Sequence, residues 1–268
     1  IFSIDVNKLI YSNQFHQVTS ELPATFVYGL GEHKDHFQKH VNWNRYTFFN
    51  RDIIPTENQP LYGSHPFYFT VEDNSTYSSG VFLFNSNAMD VLLSPYPAIT
   101  YRPIGGILDF YVFVGETAPE VVSEYIKLVG LPTMPPLWAL GFHLSRYGYN
   151  SLSKMVEAWN RTRAAMIPLD VQWSDIDYMK DYNDFTYDKV NFKGLPQFVE
   201  KLHRLGMHFI IILDPGVSAC EPPNTYPPYD DGIEMDVFIK HSNGEVLVGK
   251  VWNKCGATVF PDFTHPNA

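Results

Sequence analysis

Acidic and aromatic side chains follow three apolar runs in the second half of the chain, and their types suit ligand chemistry. Tyr147 follows the first run, Asp175 and Asp177 follow the second, and Asp214 follows the third. A carboxylate can accept two hydrogen bonds from neighbouring hydroxyl groups, and an aromatic ring can stack on the face of a sugar ring. These residues together favour recognition of a neutral ligand that is rich in hydroxyl groups.

Each of these residues also has a structural interpretation. Asp214 precedes a Pro-Gly pair, so capping of a turn explains it as well as a role in a site does. Asp175 and Asp177 share one side of the chain if the chain is extended, which favours a functional role for this pair. Tyr147 is either a platform for a ligand ring or a residue that packs at the rim of the sheet.

The three apolar runs alternate with two segments of helical pattern. The predicted order is a strand at 138–144, a helix at 151–165, a strand at 169–173, a helix at 195–205 and a strand at 208–213. This order is typical of parallel strands joined by helices. Ligands of such folds bind at the carboxyl ends of the strands, where the acids and the tyrosine stand. A further strand pair is predicted at 245–252 and 258–261.

The first half of the chain has the pattern of an all-β domain. Short extended runs rich in aromatic and β-branched residues, separated by turn residues, occur at 66–71, 80–84, 90–93 and 108–114. Thr117 and Pro119 then predict the start of a helix that ends at Gly130, and a Pro-rich linker follows it. The predicted organisation is a β-sandwich at 1–116, a helix and linker at 117–136, and the first part of a barrel with an inserted region at 137–268.

The composition limits the partners and the compartment. The chain has 268 residues and a formal net charge of −10 without a basic block, so nucleic acid is not an expected partner. Cys220 and Cys255 are compatible with a disulfide, with buried thiols or with no role. Glycosylation sequons begin at Asn74 and Asn160, and no apolar run is long enough to span a membrane. Both ends of the chain are expected to be cuts rather than natural termini.

Several motifs in the same order resemble one enzyme family. Residues 138–149 (WALGFHLSRYGY) and 170–179 (DVQWSDIDYM) are similar to glycoside hydrolase family 31 α-glucosidases, especially the intestinal maltase-glucoamylase and sucrase-isomaltase branch. The match continues at 184–188 (DFTYD) and 211–215 (IILDP), and upstream at 28–33 (YGLGEH), 50–52 (NRD) and 84–89 (FNSNAM). The resemblance therefore covers nearly the whole chain.

The resemblance implies a fold and an activity. The expected fold is a β-sandwich followed by the beginning of an α/β (β/α)₈ TIM barrel, with about three strands and the barrel incomplete. The expected activity is that of a retaining, maltase-like exo-α-glucosidase, which acts on non-reducing α-glucosyl ends of maltose-type oligosaccharides. No cofactor and no metal are expected, and the expected location is extracellular or at a lumenal membrane surface.

The resemblance also assigns substrate-binding residues. Asp175 would bind hydroxyl groups of the non-reducing glucose, and Ile176, Ile212 and Tyr147 would form an apolar wall against its ring. Trp252 would line the same pocket. Asp52 would reach from a loop of the sandwich to the sugar in the next subsite.

The two carboxylic acids that a retaining mechanism needs are expected beyond Ala268. In this family the nucleophile lies in a Trp-x-Asp-Met-x-Glu motif, which the sequence does not contain. No catalytic residue is therefore assigned, and the chain alone is expected to be inactive. Three strands cannot close a barrel, so the third strand keeps an unpaired edge. The chain is therefore expected to need the remainder of the polypeptide to cover this edge, or to aggregate.

Two other functions are compatible with parts of this pattern. A non-catalytic carbohydrate-binding protein or pseudoenzyme of the same family would keep the pocket wall and lack the acids. A β-sandwich adhesion module with an unrelated α/β segment would explain the first half, but the motif at 170–179 argues against it.

Overall fold

The computed structural model describes residues 2–72 and 77–268, so the sequon at Asn74 lies outside the described residues. The chain divides into two compact units, Ile1–Thr133 and Met134–Ala268. In the described part of the chain, none of the helices combines the length and the apolar character needed to cross a bilayer.

The first unit is built from short strands. They are β1 (Ile10–Ser12), β2 (Phe15–Glu21), β3 (Val27–His33), β4 (Gln38–Lys39), β5 (Asn44–Phe48), β6 (Pro60–Val71), β7 (Ser78–Leu83), β8 (Met89–Ser94), β9 (Ala98–Pro103) and β10 (Phe110–Gly115). They form two five-stranded antiparallel sheets, in the orders β1-β2-β9-β8-β5 and β10-β7-β6-β3-β4.

The two sheets enclose one apolar core, which confirms the predicted β-sandwich. In β8, buried and half-buried residues alternate along the strand, as expected when one face of a strand points into a core. Both sheets contribute side chains to the core, among them Val18, Tyr101 and Leu93 from the first sheet and Leu30, Tyr68 and Leu83 from the second.

A helix, α1 (Ala118–Val129), packs on the second sheet of this unit. Thr117 caps it by accepting a hydrogen bond from the Glu120 amide at 3.4 Å, and the helix ends at Gly130, whose φ is 89°. The Tyr125 ring stacks on Phe67 with ring centroids 4.1 Å apart. The helix predicted from the capping residues is therefore confirmed, and its apolar face is buried against strands that precede it in the chain.

The second unit holds the parallel sheet. Its elements are β11 (His143–Leu144), α2 (Leu152–Ala164), β12 (Val171–Ser174), α3 (Leu195–Arg204), β13 (His208–Ile211), β14 (Val217–Ser218), α4 (Pro227–Glu234) and β15 (Thr258–Val259). Strands β11, β12 and β13 pair in that order and are all parallel, whereas β14 and β15 form a separate antiparallel pair.

The parallel sheet is open among the described residues, which confirms the expected start of a barrel. Its helices α2 and α3 meet through the rings of Trp159 and Phe198, whose centroids are 5.7 Å apart in an edge-to-face arrangement. Met155, Phe192 and Leu202 are fully buried in the same cluster. Helices α2 and α3 therefore pack together with residues of β11 and β13 in one apolar cluster.

Two predictions for this unit need correction. Only His143–Leu144 of the predicted strand at 138–144 is extended, because Leu137–Leu140 forms a 3₁₀ turn. Residues 245–252 form isolated bridges rather than a strand; one bridge joins Gly249 to Thr258 as the predicted pair requires, but the regular partner of β15 is β14. The inserted region also contains the helix α4, whose two prolines stand in the first turn, where proline suits a helix.

Candidate functional site

The second unit holds five of the six sequence-predicted residues, and four of these follow the carboxyl ends of the three parallel strands. Tyr147 follows β11, Asp175 and Ile176 follow β12, and Ile212 follows β13. The loop between Gly249 and β15 carries Trp252. Because parallel strands end at the same edge of a sheet, the side chains that follow them share one surface.

Asp175 begins the turn that follows β12. Its Oδ1 accepts a hydrogen bond from the Ile176 amide at 2.7 Å and caps the 3₁₀ helix Ile176–Tyr178. The side chain is half-buried, so its carboxylate keeps access to solvent. A carboxylate in this position has acceptor capacity left for a ligand.

Asp177 has a structural role, and the prediction that it shares one side with Asp175 is wrong. The chain turns into a 3₁₀ helix here, so the two side chains do not alternate as on an extended strand. Asp177 is 7% exposed and accepts hydrogen bonds from the amides of Asn150, at 2.6 Å, and Gly148, at 3.3 Å. It therefore fixes the loop that follows β11 and carries Tyr147.

Tyr147 lies close to these acids and to a second tyrosine. A hydrogen bond with the side chain of Tyr182 raises the pKa of the Tyr147 hydroxyl, and the negative charges of Asp177 and Asp175 raise it further. The Tyr147 side chain is 59% exposed. An exposed ring beside a half-buried carboxylate is an arrangement that suits a sugar.

Ile176 and Ile212 are half-buried and pack against the core cluster beneath the strand ends. The Tyr178 hydroxyl donates to the Ile212 carbonyl at 3.2 Å, and the Ile212 amide donates to the Ser174 carbonyl at the same distance. These bonds tie Ile212, at the end of β13, to the neighbouring end of β12 and the turn that follows it.

Trp252 and Asp214 form a direct contact. The indole Nε1–H donates to Asp214 Oδ2 at 2.7 Å, and the Trp252 side chain is 46% exposed. The Asp214 amide in turn donates to Asp184 Oδ1 at 3.0 Å. Asp214 therefore orients an aromatic side chain, an outcome between the two interpretations that its sequence context left open.

Asp184 is a buried acid that the sequence did not single out as a site residue. Burial raises the pKa of its carboxyl to about 6, the hydrogen bond from the Asp214 amide lowers it, and the Asp214 charge raises it. Its side chain is 2% exposed, and the Tyr226 hydroxyl donates to its backbone carbonyl at 2.9 Å. The carboxylate charge is therefore costly at neutral pH.

Asp184 should make the stability of this unit pH-dependent. Its carboxyl is protonated in the folded and unfolded states well below pH 3.8, and ionised in both well above pH 6. Because the pKa is raised in the folded state, stability falls as the pH rises from about 3.8 to about 6, by roughly 3 kcal/mol in total, and stays at the lower level above that range. We expect Asp184→Asn to remove this loss, because the amide does not ionise and its oxygen can still accept from the Asp214 amide.

The measurement is the difference in melting temperature between Asp184→Asn and the unmodified protein, taken at pH 4 and at pH 7.5. The variant should be the more stable protein at pH 7.5, and the difference should shrink towards zero at pH 4. An equal difference at both values would show that Asp184 does not titrate in this range.

Asp52 lies in the first unit, in the loop before β6. The residue is exposed, and its carboxylate accepts a hydrogen bond from the Tyr62 hydroxyl, which raises the pKa of that hydroxyl. The Arg51 amide donates to the Leu61 carbonyl at 3.0 Å and ties the loop to β6. Asp52 therefore has an ordered position on its own unit.

Residues of the second unit that the sequence did not indicate connect the predicted ones. Tyr182 joins Tyr147 to Lys254, whose ammonium lies 5.5 Å from the centre of the Tyr182 ring and 2.9 Å from Asp181 Oδ1. Lys254 stands two positions after Trp252. No local pattern marks such residues, because their contacts are made between distant parts of the chain.

Two family models match the chain. Residues 12–91 match the glycosyl hydrolase 31 N-terminal galactose mutarotase-like domain, and residues 132–268 match the glycosyl hydrolases family 31 TIM-barrel domain. The two matched regions fall in the sandwich and in the unit with the parallel strands, respectively.

Two known proteins are similar along almost the whole chain. Lysosomal α-glucosidase of Rattus norvegicus is 46% identical over 269 residues, covering 99% of this chain and 28% of that protein. Intestinal sucrase-isomaltase of Homo sapiens is 47% identical over 273 residues, covering 100% of this chain and 15% of that protein.

A solved structure of the glucosidase II alpha subunit, in an alpha3-Glc2-bound form, superposes with a TM-score of 0.82 at 26% identity. That match covers 94% of this chain and 29% of the solved chain. The chain thus spans less than a third of each of these relatives. The two domain matches and the identities over its full length show that the chain belongs to glycoside hydrolase family 31.

Proposed function

We propose that this chain forms part of a retaining, maltase-like exo-α-glucosidase that releases glucose from non-reducing α-glucosyl ends of maltose-type oligosaccharides. The observation that carries the proposal is the half-buried carboxylate of Asp175 beside the exposed ring of Tyr147, at the carboxyl ends of parallel strands. The names of the similar proteins, which are α-glucosidases or sucrase-isomaltase, support the same substrate class.

In the proposed site, Asp175 accepts hydrogen bonds from two hydroxyl groups of the terminal glucose. Ile176, Ile212 and Tyr147 form the apolar wall against the sugar ring, and Trp252 lines the same pocket. Bonds to a charged acceptor fix the orientation of the sugar, and the apolar wall excludes water from its ring.

The bond-breaking step needs two further carboxylic acids. One attacks the anomeric carbon and forms a glycosyl-enzyme, while the other protonates the leaving oxygen and then activates water. We propose that the remainder of the polypeptide supplies both acids and completes the barrel, and that residues 1–268 alone are inactive. Residues 117–136 would connect the sandwich domain at 1–116 with the barrel domain at 137–268.

The proposed compartment is extracellular or lumenal. Cys220 and Cys255 form a disulfide, and disulfides persist in oxidising compartments. Of the two sequons, Asn160 is an exposed residue on α2, so its side chain is accessible to a glycan.

The test follows maltose hydrolysis by the full-length protein with proton NMR. Retention predicts that the glucose released from the non-reducing end appears first as the α-anomer and then mutarotates. First appearance of the β-anomer would refute the retaining mechanism. Binding of maltose without any hydrolysis would support the non-catalytic, carbohydrate-binding alternative.

A further inference from the structure

The loop that carries Trp252 is closed at its base by backbone bonds. The Gly249 amide donates to the Thr258 carbonyl at 2.8 Å, and the Thr258 amide donates to the Gly249 carbonyl at 3.0 Å. Eight residues, 250–257, lie between these two positions. Irregular loops of this length on a protein surface are mobile unless their side chains are tied to the fold.

Two of the ties from this loop are non-covalent and lie at the surface. They are the hydrogen bond from Trp252 to Asp214 and the ion pair between Lys254 and Asp181, whose side chains are 61% and 44% exposed. Exposed ion pairs contribute little to stability, because water screens them and ordering both side chains costs entropy. Together with one backbone bond, from the Lys254 amide to the Asp181 carbonyl at 3.1 Å, they restrain the loop only weakly.

A further tie is covalent. Cys255, three residues after Trp252, is bonded to Cys220, six residues after Asp214. Cys220 directly follows Ala219, whose amide donates to the Ala257 carbonyl at 3.1 Å, next to the β14–β15 pair. The disulfide therefore adds a covalent link next to the paired segments β14 and β15, and it holds the loop at Cys255.

The disulfide and the Trp252–Asp214 hydrogen bond close one small ring. It runs from Asp214 along the chain to Cys220, across the disulfide to Cys255, and back along three residues to Trp252. A covalent bond that joins two segments a few residues away from a contact between them limits how far the two contacting residues can move apart. The indole is thereby kept near Asp214 even when the surface ties open.

We infer that the Cys220–Cys255 disulfide is a positioning device for Trp252, and that it sets how tightly the site binds the sugar. Neither cysteine touches the substrate in the proposed site. The disulfide acts through the loop, so its effect on substrate binding depends on the indole of Trp252. This inference rests on the proposed function for its kinetic consequence but not for its structural one.

The structural test is hydrogen exchange of residues 249–258 in the full-length protein, followed by mass spectrometry. The double variant Cys220→Ala/Cys255→Ala should exchange these amides at least about tenfold faster than the unmodified protein. The matched control, Lys254→Met, removes a surface tie of the same loop and should change exchange by less than about threefold. Unchanged exchange in peptides from the sandwich would show that the first unit is unaffected, and remaining protection of the β13 and β14 amides would show that the second unit is folded.

The kinetic test is a double-mutant cycle between the disulfide and Trp252. Removal of the disulfide should raise KM for maltose about fivefold and leave kcat within about twofold. In the Trp252→Phe background, removal of the disulfide should have no further effect on KM. Additive effects, or slow loop exchange without the disulfide, would overturn the inference. If Trp252→Phe alone leaves KM unchanged, the proposed role of Trp252 fails, and the exchange result by itself decides whether the disulfide positions the loop.

Discussion

Asp175→Asn is expected to lower kcat/KM of the full-length protein for maltose by about 100-fold, because two hydrogen bonds to a charged acceptor are weakened at once. This loss corresponds to roughly 3 kcal/mol at the transition state. The substitution keeps the shape of the side chain and an oxygen that can accept from the Ile176 amide. The folded structure should therefore survive, and the melting temperature should change little.

Asp177→Asn is the matched control, since the same change is made two positions later. Asp177 accepts from two backbone amides and is buried, so its replacement should lower the melting temperature. Its effect on kcat/KM should be smaller than that of Asp175→Asn. If the two variants lose activity and stability in the same proportion, Asp175 is a structural residue and its proposed role in sugar binding is wrong.

Removal of the disulfide is expected to destabilise the second unit by roughly 4 kcal/mol. The bond closes a loop in the unfolded chain and so reduces the number of conformations that the unfolded chain can adopt. The two cysteines are 35 residues apart in sequence. Amides of β13 and β14 lie outside this loop, so they report unfolding of the unit rather than motion of the loop. Where these amides exchange through the small equilibrium population of the unfolded unit, their exchange should become about a thousandfold faster in Cys220→Ala/Cys255→Ala.

The control for this measurement is the exchange of β6 and β7 amides in the sandwich, which should not change. An acceleration below about tenfold in β13 and β14 would mean that the disulfide restrains the loop without stabilising the unit. That result would not contradict the inference that the disulfide positions Trp252. The peptides that report motion of the loop at 249–258 are different from those of β13 and β14, which report unfolding of the unit.

The elements with strong periodicity were predictable from the sequence. The helices at α2 and α3 agree with the prediction to within one residue at either end, because each has a capped or proline-marked start and a regular apolar face. The strand β12 was placed within two residues of its observed start, since a short apolar run between two helices has few other interpretations.

The failures come from interactions that local pattern does not encode. Leu140 and Phe142 are 68% and 43% exposed, so the apolar run at 138–144 is not a buried strand along its whole length. The partner of β15 lies far back in the chain, with Val217 opposite Val259 at a separation of 42 residues, and such pairing cannot be inferred from the strand itself.

For the site, the sequence indicated residue types at strand ends but not their contacts. The separation of Asp175 from Asp177 depends on the 3₁₀ turn between them, and the burial of Asp184 depends on three segments that pack around it. The choice among the states of Cys220 and Cys255 required the fold, because a disulfide is decided by the distance between two loops.

The helix α1 has a consequence for synthesis on the ribosome. Every strand of the two antiparallel sheets, and the helix that covers one of them, lies before residue 133. As the chain emerges, the sandwich can complete its core while the parallel strands are still being made, since domains fold as units in the order of translation. The sandwich would then be folded on the nascent chain before β11 emerges.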